Sequence, residues 1–188
     1  TCADLRVRSS QKTVEIGFDG YAIGGLSVGE SRSEMLQAVE ACLPHLPEDR
    51  PRYLMGVGTP LDIVDAAARG IDIFDCVLPT RMARHGSLMT REGPVKITRS
   101  EFRQDQRPVS ETCDCPACRS YSRAYLHHLL RIEDAAGWQL LSLHNLRFYA
   151  RFMQQLRETI AAGALDDLRA QLHPWTARDR EAEEEPDA

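Results

Sequence analysis

No apolar run in these 188 residues approaches the roughly 20 needed to cross a bilayer as a helix. The opening stretch, TCADLRVRSS, lacks the apolar core of a secretory signal. No internal repeat is visible, and the net charge is only -5. Nothing marks a membrane protein or an exported one, so a cytoplasmic setting with free thiols is expected. With 43% hydrophobic residues the chain can build a sizeable core, as one domain or one domain plus a small subdomain.

The small net charge hides an uneven distribution. The tail REAEEEPDA (180–188) holds five acids against one Arg, whereas residues 81–107 hold seven Lys/Arg against three Asp/Glu. A basic stretch on a chain with an acidic tail suits a polyanion partner, and equally a solvated surface loop.

The first 78 residues alternate apolar runs with helical spacing. TVEIGF (13–18) and GYAIGGL (20–26) are β-rich and broken by Gly. Ser31 and Glu34 have capping-box spacing, and Met35, Val39, Cys42 and Leu43 recur on one helical face. RYLMGV (52–57) reads as a buried strand. Thr59 then caps a helix that starts at Pro60, carries Leu61, Val64, Asp65 and Ala68, and stops at Gly70. IDIFDCVL (71–78) is a third strand. Strand–helix–strand–helix–strand predicts an α/β fold with a parallel sheet. Beyond Pro79, GSLMTREGPVKITRS reads as a hairpin turning at REGP. A helix from Arg119 follows, with Tyr121, Tyr125, Leu126, Leu129 and Leu130 on one face, and Gly137 is expected to break it. A second helix carries Leu141, His144, Phe148, Phe152, Leu156 and Ile160 and ends at Gly163. The acidic segment after Pro174 is expected to be disordered.

Three of six cysteines crowd into TCDCPACRS as Cys113-x-Cys115-x2-Cys118. Disulfides at such spacing are strained. Three thiolates invite a soft metal, and a structural zinc site takes four ligands, often Cys3His. His144, near the start of the second helix, can be brought back by a helix, a turn and a helix. His127 and His128 are rivals placed mid-helix. The plain alternative is a helix-face histidine beside reduced thiols.

In a parallel α/β fold, reactive groups gather at the C-terminal ends of strands. Asp75 lies late in an apolar strand, where a carboxylate is costly to bury without a partner or a purpose. A salt bridge to Arg81 or Arg84, or an edge position facing water, also accounts for it. Asp62, Asp65 and Asp72 read as helix or loop surface. The GGL (24–26) and GVGTP (56–60) turns let backbone amides approach a base or phosphate, though Gly turns also simply end strands.

GYAIGGLSVGE, RYLMGVGTP, RGIDIFDCVLPTR and the CxCxxC…His spacing closely resemble the tRNA-guanine transglycosylase family, from about Ile16 to Gly163. The resemblance implies the C-terminal part of a (β/α)8 TIM barrel with an inserted zinc-binding subdomain. Residues 1–85 are then the last βα units with the catalytic strand, 86–144 the zinc subdomain, 145–173 the closing barrel helix and 174–188 an acidic tail. The implied activity exchanges guanine at the wobble position of tRNAs with GUN anticodons for a 7-deazaguanine, in queuosine biosynthesis. Asp75 is the implied nucleophile, attacking ribose C1′ to form a covalent ribosyl-enzyme that the incoming base displaces with net retention.

Gly25 and Leu26 match positions whose backbone contacts the base, and Met55 matches a residue lining that pocket. Val28 resembles the bacterial form, which implies preQ1 as substrate. Gly56, Val57, Gly58, Thr59, Pro60, Leu61 and Asp62, with Thr80, Arg81, Met82, Ala83 and Arg84, match the tRNA-contacting loops. Cys113, Cys115, Cys118 and His144 match the zinc ligands, one structural Zn2+ per chain. A homodimer through the zinc region is implied, with Tyr125 and His128 in the matching helix. The family's second catalytic Asp and its base-reading Asp and Gln have no match here, because they lie in the N-terminal half. Half a barrel leaves sheet edges open, so the chain alone is expected to be inactive or to depend on a complementary half. The alternative is a non-catalytic tRNA-binding or scaffold subunit, against which an intact FDCVLPTR with Asp75 argues.

Overall fold

A computed structural model describes residues 2–172, so the acidic tail expected at 174–188 lies outside the described residues. The chain divides into two compact units, one ending at Val77 and the other starting at Leu78. No described helix is long and apolar enough to cross a membrane.

The first unit opens with α1 (Ala3–Ile16), where a β-rich segment was expected over 13–18. Thr13, Val14 and Ile16 finish this helix instead of starting a strand. The Thr13 hydroxyl donates back to the Ser9 carbonyl at 2.9 Å, which reconciles a β-branched residue with helical backbone. Gly17, in the left-handed region at φ 84°, ends the helix by bonding back to Val14.

Three short strands follow: β1 (Tyr21–Ile23), β2 (Arg52–Leu54) and β3 (Ile73–Phe74). They form a parallel sheet in the order β1-β2-β3, with Ile23 opposite Leu54 and Leu54 opposite Phe74. The expected third strand over 71–78 is only two residues long, because the chain leaves the sheet before Asp75. Helix α2 (Arg32–Cys42) begins with the predicted capping box between Ser31 and Glu34 and buries Met35, Val39 and Cys42. Helix α3 (Pro60–Ala67) is capped by the Thr59 hydroxyl, which accepts from the Asp62 amide at 3.3 Å. Tyr21, Ile23, Met35, Val39, Leu54 and Val57 form the core of this unit. Each such side chain contributes about 1.5–3 kcal/mol on burial.

Asp65 corrects the surface reading. It is 3% exposed and paired with Arg32, which also binds Asp62 and so ties α2 to α3. Asp72 accepts from the Arg52 amide at 2.9 Å, while the buried Arg52 guanidinium donates to the Leu46 and Pro47 carbonyls.

The second unit starts with α4 (Leu78–Arg84) and the predicted hairpin, β4 (Ser87–Thr90) and β5 (Gly93–Lys96), turning at Arg91–Glu92. Helices α5 (Pro116–Ser120), α6 (Arg123–Arg131), α7 (Ala135–Ala161) and α8 (Leu165–Gln171) complete it. Gly137 does not break a helix; it lies inside α7. A Cβ there would sit 3.0 Å from the Cβ of Leu129, so glycine is needed for the close approach of α6 and α7. The break falls at Glu133, with φ 56°, and Asp134 caps α7 by accepting from the Ala136 amide. Helix α7 runs unbroken through residue 144. Leu88, Ile97, Leu126 and Leu141 are fully buried in the core here.

Candidate functional site

Three loops leave the C-terminal ends of the parallel strands and meet. Gly24–Leu26 follows β1, Met55–Gly56 follows β2, and Asp75 follows β3. A Cβ on Gly24 would lie 3.6 Å from the Met55 sulfur, and one on Gly56 would lie 3.7 Å from Ser27 Cβ. The parallel sheet therefore gathers Gly25, Leu26, Val28, Met55 and Asp75 at one edge, as that sheet type commonly does for reactive groups.

Asp75 is exposed, not buried among its apolar neighbours. Its Oδ1 accepts from the Tyr53 hydroxyl at 2.6 Å and from the Gly56 amide at 3.0 Å. These donors, Tyr53 first, hold its carboxyl below the usual carboxylate range, and the Tyr53 phenol is raised in turn. Both donors converge on one oxygen, which orients the group and leaves Oδ2 for an electrophile. Tyr53 escaped the sequence reading. It pairs with Ile73 across the ladder, which brings Asp75, two residues further on, within reach of its hydroxyl. That register is invisible in the linear sequence.

The Gly24–Val28 turn is braced from two sides. Arg6, on α1, donates to the Gly24 carbonyl at 3.1 Å and to the Gly25 carbonyl at 3.0 Å. The Glu30 carboxylate accepts from the Ser27 and Val28 amides. Gly25 (φ 64°) and Ser27 (φ 58°) both adopt left-handed backbone within this turn. Leu26 is only 4% exposed as a whole residue, so its side chain is buried, whereas Val28 and Met55 are exposed. Arg6 also escaped the sequence reading, because α1 carries few buried residues and little periodicity.

The residues matched to RNA-contacting loops divide by exposure. Val57, Gly58 and Pro60 are buried, Thr59 caps α3, and Asp62 pairs with Arg32. In α4, Ala83 is fully buried and Thr80 and Met82 are half-buried, which leaves Arg81 and Arg84 exposed. Gly56, with Leu61 partly so, is the open part of the first loop.

In the second unit, Cys113, Cys115, Cys118 and His144 bring their ligand atoms within 4.8 Å of one another. The three sulfurs lie 3.7, 3.5 and 3.2 Å from His144 Nδ1. A tetrahedron with Zn–S of about 2.3 Å and Zn–N of about 2.0 Å spaces its ligand atoms by about 3.5 Å, so the cluster fits zinc. His144 Nε2 lies 2.9 Å from the Met89 carbonyl. Donation there fixes the tautomer that frees Nδ1 for metal. The neighbouring Asn145 side chain bonds the Met89 amide and the Pro79 and Ser87 carbonyls, pinning α7 to the hairpin. Arg147 grips Asp114 at 2.7 and 2.6 Å and pulls its carboxyl down to about 2. The Cys118 amide donates to the Cys115 sulfur at 3.4 Å. His127 is buried against the Ile97 carbonyl at 2.9 Å and His128 is exposed, so neither rival joins the cluster. Among the described residues there is thus one Cys3His zinc site, with all four positions filled by protein.

Known proteins give a consistent picture. A family model described as "Queuine tRNA-ribosyltransferase" matches residues 1–175. Proteins of the same description are similar to most of this chain. The one from Symbiobacterium thermophilum is 49% identical over 98% of this chain and 46% of its own length. The one from Shewanella halifaxensis is 48% identical over 98% of this chain and 48% of its own. The one from Thioalkalivibrio sulfidiphilus is 54% identical over 86% of this chain and 44% of its own. The chain spans less than half the length of these relatives.

Proposed function

The chain belongs to the queuine tRNA-ribosyltransferase family, and we propose that it supplies the nucleophile and part of the base pocket of a tRNA-guanine transglycosylase that exchanges the wobble guanine of GUN tRNAs for preQ1. The observation that carries the reading is Asp75, solvent-facing at the end of β3 and oriented through Oδ1 by Tyr53 and Gly56. Its Oδ2 attacks ribose C1′ as the C1′–N9 bond breaks, and the electron pair departs with guanine. The incoming base then attacks C1′ from the opposite face, releases the carboxylate and restores the original configuration. The depressed carboxyl stays ionised at neutral pH, as a nucleophile and leaving group requires.

Gly25 and Leu26 offer backbone groups to the base, while Met55 and Val28 line its pocket. Arg81 and Arg84, the exposed cations of α4, contact the phosphate backbone of the tRNA, and Gly56–Asp62 and Thr80 are further tRNA-contacting positions. In this reading residues 1–85 are the last βα units of a (β/α)8 barrel, 86–144 its zinc subdomain and 145–173 its closing helix. The zinc ligands leave no position for water, so the ion is structural. A homodimer formed through this region uses the exposed Tyr125, stacked on Tyr121 with ring centroids 5.1 Å apart, and His128. A scaffold subunit has no use for an exposed carboxylate with two dedicated donors, which disfavours the non-catalytic alternative.

The test is exchange of labelled guanine into tRNA by the complete enzyme carrying this sequence. Asp75→Asn should lower exchange by at least roughly 10³-fold while tRNA affinity stays within about twofold. Undiminished exchange would overturn the assignment.

A further inference from the structure

We propose that Arg6 is a positioning residue for base recognition, fixing which carbonyl of the Gly24–Leu26 turn is offered to the base; this rests on the transglycosylase reading above. The guanidinium forks onto two consecutive carbonyls, those of Gly24 at 3.1 Å and Gly25 at 3.0 Å. It arrives from a separate helix, and so fixes the turn relative to α1. On the far side, Glu30 occupies the amides of Ser27 and Val28. The peptide groups flanking Leu26 are thereby committed on both sides. The Leu26 amide and carbonyl have no hydrogen-bond partner among the described residues. Leu26 is buried as a residue, at 4% exposure, and this backbone pair holds its only polar atoms.

The selection has a chemical consequence. A purine-type base carries exocyclic N–H donors and needs an acceptor in a fixed place. Three consecutive free carbonyls would offer competing acceptors, and a base with a cationic arm would find all of them attractive. Arg6 fills two and leaves one. Against the cost of burial, the Ser27 and Val28 amides hold the Glu30 carboxyl below its usual range, and the Arg6 charge adds the smallest share. Gly25 needs the same support, since its left-handed backbone (φ 64°) is one of several conformations open to glycine. Lysine cannot replace this fork, because an ammonium is a point donor without the planar two-pronged geometry.

The experiment measures steady-state exchange by the complete enzyme carrying this sequence, with Arg6→Gln and Arg6→Lys, titrating the free base and tRNA separately. Both variants should raise KM for guanine and for an aminomethyl-deazaguanine by about tenfold, the scale of a lost charge-assisted hydrogen bond. KM for tRNA should stay within twofold, and the thermal midpoint should be preserved in Arg6→Lys. A base KM within twofold of wild type in either variant would overturn the proposal. So would a parallel rise in both KM values with a fall in thermal midpoint, which marks a merely structural role. If the wild-type enzyme exchanges no base at all, the transglycosylase reading fails first and takes the role of Arg6 with it.

Discussion

Asp75 is governed by two donors on one oxygen, and the stronger is replaceable without disturbing the fold. Tyr53→Phe removes the 2.6 Å hydrogen bond, the largest cause of the lowered carboxyl pKa. In the proposed reaction Asp75 works only as the carboxylate, so activity is lost as pH falls through its folded pKa. Raising that pKa moves the acid limb of the rate profile to higher pH. A pH profile of kcat/KM should show this upward shift, with a loss of no more than about tenfold at neutral pH; an unmoved limb would mean that Tyr53 does not tune Asp75. The sequence exposes Asp75 and the zinc ligands because each sits in a motif whose spacing carries chemistry. It conceals Tyr53 and Arg6 because their roles need a strand register and a helix docking. Both are properties of three-dimensional neighbours. Asp65 shows the converse error: a carboxylate at a helical position reads as surface until Arg32 arrives from another helix.

The metal-bearing elements show how a few residues hold an irregular segment. Arg123 donates to the Val109 carbonyl and to Asp105, whose carboxyl is held far below its ordinary range, chiefly by Arg107. Arg151 bonds the Thr112 carbonyl at 2.6 Å, and the cysteines follow directly. The knuckle therefore hangs between α6 and α7, and the zinc joins it to His144. Metal analysis should find one zinc per chain, and His144→Ala should lower both zinc retention and the unfolding midpoint. Chelation should unfold residues 78–172 more readily than residues 2–77, measured by amide hydrogen exchange. Protection unchanged by chelation would remove the structural role from the ion. Capping signals at Ser31 and Thr59 were legible because hydrogen bonds three residues apart are local. Helix α1 and the interior Gly137 were not. Thr13 and Val14 have β character that their helical context overrides, and Gly137 answers to Leu129 on another helix.

At the scale of the molecule, the parallel α/β order of the first unit was readable from Gly-punctuated apolar runs. The three strands are far shorter than those runs, because Gly24, Gly56 and Asp75 each turn out of the sheet to build the site. Among the described residues β1 and β3 are edge strands, each paired only with β2. The chain spans less than half the length of the relatives it matches. The most direct test of the whole account is the covalent intermediate. The complete enzyme carrying this sequence should be mixed with tRNA without free base, denatured and analysed by intact-mass spectrometry. The account predicts an enzyme–tRNA adduct that maps to Asp75 and is absent in Asp75→Asn. An equal adduct in both proteins, or attachment at another residue, would contradict it.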